Sequence, residues 1–386
     1  MSVIKTVIAP VNIAVIKYWG KRDEDLILPL NDSVSATLDT SVMCAKTSVF
    51  ASPHLESNEI WLNGKMESFA NKRLLNCLEA IKAIAAKEKS VNDDFLKWKV
   101  HVCSVNNFPT AAGLASSAAG YACLVTALAK LYKVKADVSC VARLGSGSAC
   151  RSVYGGFVQW HAGSDPTGKD SIATQIKEAS HWPEMRALIL VVGDSAKKTS
   201  STKGMKITTE TSELLKHRIK YCVPQRTTDI IQAIKEKNFP KFAEITMKDS
   251  NQFHAVCLDS YPPFVYMTEI SHKIVEIIHK YNEECDETKV AYTFDAGPNA
   301  CLYLLEHEVP KMISLIKYVF PSTTPENFVT GLDSEQAELN EDFLKKIGET
   351  PEPQDMLKYI IHTRVGEGPT EVTDGSHLMN ENGFPL

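Results

Sequence analysis

The sequence predicts a mixed α/β (α+β) protein in two lobes, residues 1-185 and 186-386, and three observations carry this. Strand-type and helix-type apolar spacings occur in both halves of the chain. A continuous apolar run, Ala187 to Val192, follows Pro183 and is bounded by Arg186 and Gly193, which reads as a buried strand opening a second unit. The length, 386 residues, exceeds what one hydrophobic core usually serves.

The elements follow in order. Val3 to Ala9, Glu59 to Leu62 and Lys97 to Val105 are rich in β-branched and apolar residues and predict strands. Arg73 to Lys89 carries Leu74, Leu75, Leu78, Ile81 and Ile84 at helical spacing. Leu114 to Lys133 predicts a second helix and Asp137 to Arg143 a short third. In the second half, helices are expected at 212–221, 227–237, 239–247, 264–281 and 309–319. Strands are expected at 290–294, 301–305 and 358–363. Pro321 to Glu352 is polar and is expected to include a mobile loop, and the stretch from Gly366 onward is polar and turn-rich.

Composition narrows the function. Hydrophobic residues make up 44% and charged residues 23%, so the chain can bury enough apolar surface to fold. Lys+Arg number 42 against 47 Asp+Glu, a net charge of −5, which argues against a dedicated nucleic-acid binder. The longest apolar stretch, Leu114 to Leu131, is interrupted by serines and Lys130 and reads as a buried helix, so no membrane partner is expected. No export signal is apparent at Met1 to Pro10, so a cytoplasmic location is expected and the sequon Asn31-Asp32-Ser33 is read as chance. The 10 cysteines are scattered without CxxC spacing, which suits reduced thiols rather than a zinc site.

Three segments carry chemistry. Pro109 to Gly120 is a run of small residues between an expected strand and an expected helix. Its backbone N–H groups and helix dipole suit a phosphate, and the Ser116 and Ser117 hydroxyls suit phosphate or Mg2+. It lacks the lysine of a Walker loop and is no GxGxxG, so on the residues alone plain helix packing stays equally open. Leu144 to Arg151 is a second Gly/Ser loop ending in a guanidinium, a donor set for phosphate or carboxylate, or else a turn with an exposed arginine. Asp295 sits at an expected strand end before Gly297-Pro298, as a general base or as a turn-forming aspartate.

Taken together, these residues resemble one family. Pro10 to Asp23, with Lys17-Tyr18-Trp19-Gly20-Lys21 at its centre, is similar to the opening motif of mevalonate diphosphate decarboxylases. Asn106 to Phe108, Pro109 to Gly120, Ser146 to Arg151, Met247 to His254 and Ala291 to Asn299 match the same family, over about Val3 to Gly366. The phosphate loop alone marks only the wider superfamily of galactokinase, homoserine kinase, mevalonate kinase and phosphomevalonate kinase.

The resemblance implies a two-lobed fold with a deep cleft. It also implies an ATP- and Mg2+-dependent conversion of mevalonate 5-diphosphate to isopentenyl diphosphate, ADP, phosphate and CO2, within isoprenoid and sterol synthesis, by a homodimer. Asp295, Lys17 and Arg151 become the expected catalytic residues. Tyr18, Trp19, Gly20, Lys21, Arg73, Ser146, Gly147, Ser148, Ala149, Cys150, Arg151 and Thr202 become the expected substrate contacts. Asn106, Pro109, Ala112, Gly113, Leu114, Ala115, Ser116 and Ser117 are expected at the nucleotide, with Ser116 and Ser117 at the metal. Arg151 is favoured on the substrate carboxylate. Cys150 is expected to be structural rather than nucleophilic. The alternatives are a simple kinase of the same superfamily, a mevalonate monophosphate decarboxylase, and a non-catalytic relative.

Overall fold

The computed structural model describes residues 2–108, 116–193 and 198–386. The first half is built on two sheets. In a six-stranded sheet, Cys44–Ser52 runs antiparallel to Val3–Pro10 on one side and to Lys99–Asn106 on the other. Glu59–Leu62 lies parallel to Lys99–Asn106, and Lys65–Glu67 closes that edge. Helix Ser116–Leu131 packs across Val3–Pro10 and Cys44–Ser52. Its buried Ala118, Ala119, Ala122 and Ala127 let the backbones approach closely enough for the Cys123 thiol to donate to the Val7 carbonyl at 3.0 Å. The second sheet orders Ala173–Lys177, Phe157–Trp160, Ser33–Thr37 and Asn12–Ile16, all antiparallel.

The second half carries a five-stranded sheet with the wholly buried Met185–Val191 at its centre. Ala300–Leu305 and then Val290–Phe294 lie on one side, and Tyr359–Arg364 and then Val329–Gly331 on the other. Val290–Phe294 is therefore an edge strand, and helix Phe239–Asp259 covers it while also touching Asn12–Ile16. One hydrophobic core runs through both halves along this route.

Several boundaries differ from expectation for physical reasons. The helix expected at 239–247 continues to Asp259, because its second half turns polar residues inward rather than ending. The helix expected from Phe264 starts at Glu269, where Thr268 and Ser271 form a reciprocal cap. The helices expected at 212–221 and 227–237 form one path, Glu213–His217 and Val223–Glu236, joined by a widened π turn at Arg218–Cys222. The polar stretch Pro321 to Glu352, for which no element was expected, also contains the strand Val329–Gly331 and the helix Glu341–Ile347. Finally, Thr370–Glu371 pairs antiparallel with Val3–Pro10, so the stretch beyond Gly366, assigned with residues 186-386, packs on the sheet of the first half. His377 and Leu378 bond there to Thr6 and Ser48.

Candidate active site

A cavity of about 260 Å3 opens where the halves meet. The segment after Asn12–Ile16 contributes Lys17, Tyr18, Trp19 and Lys21. The second Gly/Ser loop contributes Ser146, Gly147 and Ser148, and the short helix Ala149–Ser152 contributes Arg151. Arg73 enters from helix Lys72–Glu88, and Ser116 and Ser117 from the start of Ser116–Leu131. From the second half come Ser201, Thr202 and Met205 on helix Ser201–Thr211, together with Asp295 at the end of Val290–Phe294. Lys17 and Asp295, separated by 278 positions, thus face one space.

The electrostatics of this space are specific. Lys17 Nζ lies 2.6 Å from Asp295 Oδ1, with the lysine side chain 3% exposed and the carboxylate 30% exposed. Arg151 is buried, and its hydrogen-bond partners are neutral: Asn12 Oδ1 at 3.2 Å, Ser35 Oγ at 2.9 Å and Ser33 Oγ at 2.5 Å. Its guanidinium also lies over the Trp160 ring, 5.9 Å from the centroid. A buried cation whose hydrogen-bond partners among the described residues are all neutral is costly, even with the Asp295 carboxylate favouring its charge, and lining a cavity it makes an anion receptor. The Tyr18 hydroxyl is buried without a hydrogen-bond partner among the described residues. Burial pushes its pKa up, so it remains a neutral donor.

Gly147 is required by packing: a Cβ there would stand 2.9 Å from Tyr18 Cε1 and 3.0 Å from Trp160 Cη2. The close approach lets Tyr18 lie edge-on to Trp160, with ring centroids 4.6 Å apart.

A second, larger cavity of about 670 Å3 adjoins the first. It is lined by Ile60, Leu62, Leu74, Val102, Tyr121 and Leu124 and by the polar Asn63, Asn71, Ser104 and Asn106, and it shares Ser116 and Ser117 with the first. Its size and apolar walls suit a nucleoside, with the shared serines at the junction. Ser117 Oγ also lies 3.2 Å from Ser146 Oγ, which ties the two Gly/Ser loops together. Among the described residues, no three His, Cys, Asp or Glu side chains are grouped to hold a metal. The Ser116 and Ser117 hydroxyls at the junction of the two cavities are oxygen donors of the kind Mg2+ accepts beside phosphate oxygens.

Not every expected residue reaches the cavity. Gly20 does not line it; at φ +88° it shapes the turn, and a Cβ there would meet Leu30 Cδ1 at 2.7 Å. Ala149 and Cys150 are wholly buried behind it, and burial pushes the Cys150 thiol up to about 12. Trp19 touches the cavity, but its indole N–H donates to Thr208 Oγ1 at 3.1 Å and its rings pack on Phe253 and Tyr266. Pro109, Ala112, Gly113, Leu114 and Ala115 lie outside the described residues. Asn12, Ser33 and Ser35, which cradle Arg151, and Arg218, which pairs with Asp249 behind Lys17, were not singled out by sequence. For Asn12, Ser33 and Ser35 the one signal is the placing of small polar residues in strands that are otherwise buried.

Both halves of the chain match family models. Residues 9–173 match the diphosphomevalonate decarboxylase-like N-terminal domain, and residues 187–372 match the mevalonate 5-diphosphate decarboxylase C-terminal domain. A diphosphomevalonate decarboxylase of Danio rerio is 51% identical over 384 residues, covering 98% of this chain and 96% of the relative. A crystal structure of mevalonate 5-diphosphate decarboxylase at 2.3 Å resolution superposes with a TM-score of 0.85 at 42% identity, covering 99% of this chain and 100% of that one. A structure described as MDDEF in complex with MVAPP, AMPPCP and magnesium superposes with a TM-score of 0.75 at 29% identity, over 96% and 99% of the two chains. On the agreement of both halves, the full-length relative and the superposed fold, this chain belongs to the mevalonate 5-diphosphate decarboxylase family.

Proposed function

We propose that the chain converts mevalonate 5-diphosphate to isopentenyl diphosphate, consuming ATP and releasing ADP, phosphate and CO2. The observation that supports this best is the pairing, in one cavity, of the Lys17–Asp295 contact with the Arg151 guanidinium, whose hydrogen-bond partners among the described residues are neutral. A kinase needs only the first. Decarboxylation needs, in addition, a cation to hold the carboxylate in line with the carbon that becomes electron-poor.

In this reading Asp295 accepts a hydrogen bond from the tertiary hydroxyl and takes its proton as that oxygen attacks the γ-phosphorus of ATP. Lys17 fixes the carboxylate and offsets negative charge as the phosphoryl group arrives. Such transfers depend more on positioning and charge neutralisation than on a strong base, so a carboxylate held by an ammonium suffices. The carbon–oxygen bond then breaks and phosphate leaves with its electron pair. The carbon–carboxylate bond breaks toward the cationic carbon, its electrons form the alkene, and CO2 departs. Arg151 holds the carboxylate through these steps with its planar fork. Tyr18, Lys21, Arg73, Ser146, Ser148 and Thr202 supply hydroxyls and cations for the diphosphate.

ATP takes the adjoining 670 Å3 cavity, with its phosphates directed to Ser116 and Ser117. Mg2+, when bound, neutralises phosphate charge, and these two hydroxyls would hold it together with phosphate oxygens. The same proposal includes a cytosolic homodimer with the lobes divided at 185/186, the stretch beyond Gly366 returning to the first lobe. Among the described residues no helix is long and apolar enough to cross a membrane.

The test is incubation with ATP, Mg2+ and substrate labelled at the carboxyl carbon. Equal release of ADP and labelled CO2 supports the proposal. ADP without CO2 reduces the protein to a kinase, and neither product overturns the assignment.

A further inference from the structure

Helix Phe239–Asp259 bears the motif Met247 to His254, whose polar residues the chemistry above does not use. Asp249 is fully buried. Its Oδ2 accepts the Lys17 backbone N–H at 2.8 Å, and Arg218 grips both carboxylate oxygens, at 2.7 and 2.9 Å. Arg226 adds a second bond to Oδ1 at 3.1 Å, and Gln252 Oε1 accepts from both arginines. Arg218 also donates to the Lys17 carbonyl at 3.1 Å, so both backbone groups of Lys17 are held.

The next residue on the helix faces the other partner. Ser250 Oγ accepts the N–H of Phe294 at 3.0 Å, one residue before Asp295. His254, one turn further on, stands edge-on to the Phe294 ring, with centroids 6.1 Å apart. Val290–Phe294 is an edge strand, so Ser250 Oγ occupies a backbone position that a neighbouring strand would otherwise take.

Two adjacent residues of one helix therefore hold Lys17 and the residue carrying Asp295 into the site. A buried network of one aspartate and two arginines is an expensive way to fill a core, and apolar packing would serve stability better. Its arrangement makes sense for geometry. We propose that Asp249 and Ser250 are positioning residues that set the separation of Lys17 Nζ and Asp295 Oδ1, which rests on the reading of that pair as the reacting one.

The experiment compares Ser250→Ala, Ser250→Thr, Asp249→Asn and, as a reference, Asp295→Asn. It measures kcat, KM for both substrates and the melting temperature. Misplacement by about an ångström costs up to about a hundredfold in rate. Ser250→Ala is expected to lower kcat about tenfold while both KM values change less than about twofold, and Ser250→Thr, which retains the hydroxyl, restores most of it. Asp249→Asn lowers kcat by about ten- to a hundredfold.

Wild-type kcat in Ser250→Ala and Asp249→Asn, with Asp295→Asn inactive, overturns this inference and leaves the chemistry standing. An active Asp295→Asn enzyme overturns the chemistry itself. A loss of kcat that tracks the melting temperature and that threonine does not restore makes Ser250 merely structural and also overturns the inference. If Asp249→Asn fails to fold, the two Ser250 variants decide.

Discussion

Lys17 and Asp295 stand 278 residues apart in sequence and 2.6 Å apart in space, the lysine sealed in the protein and the carboxylate partly open to the cavity. The arrangement makes Asp295 the group a substrate meets and Lys17 the group that fixes it. Asp295→Asn keeps the shape and removes the proton acceptor. Its kcat is expected to fall by about 10²–10⁴-fold. Its melting temperature and nucleotide affinity stay close to those of the parent, which calorimetry and nucleotide titration check.

Arg151 separates function from stability. Its partners Asn12, Ser33 and Ser35 do not repay the burial of a cation. Arg151→Gln is expected to lower kcat/KM for the diphosphate substrate by about 2 kcal/mol or more, roughly thirtyfold or greater. Denaturant unfolding should give the variant equal or higher stability, because a cation hydrogen-bonded to neutral partners has left the interior.

Gly147 tests the packing beneath Tyr18. The alanine Cβ must displace the Tyr18 or Trp160 ring. Overpacking of this kind costs about 1–3 kcal/mol. Gly147→Ala is therefore expected to raise the KM for the diphosphate substrate about tenfold, the low end of that range in energy. Steady-state kinetics at saturating ATP measures it.

His254 governs a pH dependence. Burial, then the nearby Lys17 ammonium, push it from about 6.5 down to about 3. The unfolded state therefore binds a proton that the folded state refuses, and stability falls as pH drops from about 6.5 toward 3. Asp249 acts in the same direction: burial would raise its pKa, but Arg218, the Lys17 amide and Arg226 hold it below the usual carboxylate value. Its contribution is present above the unfolded value and fades as pH falls toward the folded one. Urea unfolding of His254→Gln across this range should show a shallower pH slope than the parent, while an unchanged slope assigns the dependence elsewhere.

Cys150 abuts the site and should be inert. It is wholly buried, and burial raises its thiol to about 12. Native alkylation followed by peptide mass mapping should leave Cys150 unmodified until denaturant is added.

Much of this was legible in the sequence, where local pattern and burial agree. Glu59–Leu62, Val290–Phe294 and Val309–Val319 fall where their residues predict. Ser33–Thr37 and Phe157–Trp160 are not read as strands because they are short, and the polar positions Ser33 and Ser35 of the first turn inward to hold Arg151 instead of facing solvent. Phe239–Asp259 was cut short for a similar reason, since Asp249 and Ser250 interrupt its apolar stripe to reach Lys17 and Phe294. Motif similarity brought together Lys17, Arg151 and Asp295, but spacing could not reveal the polar residues behind them, which meet only through tertiary structure.

The pairing of Thr370–Glu371 with Val3–Pro10 also sets a timetable. On the ribosome, the first strand emerges about 360 residues before its outer neighbour is made, which at 5–20 residues per second is roughly 20–70 s. Throughout that interval the Val7–Ile8 edge presents unpaired peptide groups, so the nascent first lobe is most open to wrong strand partners while the second is being translated.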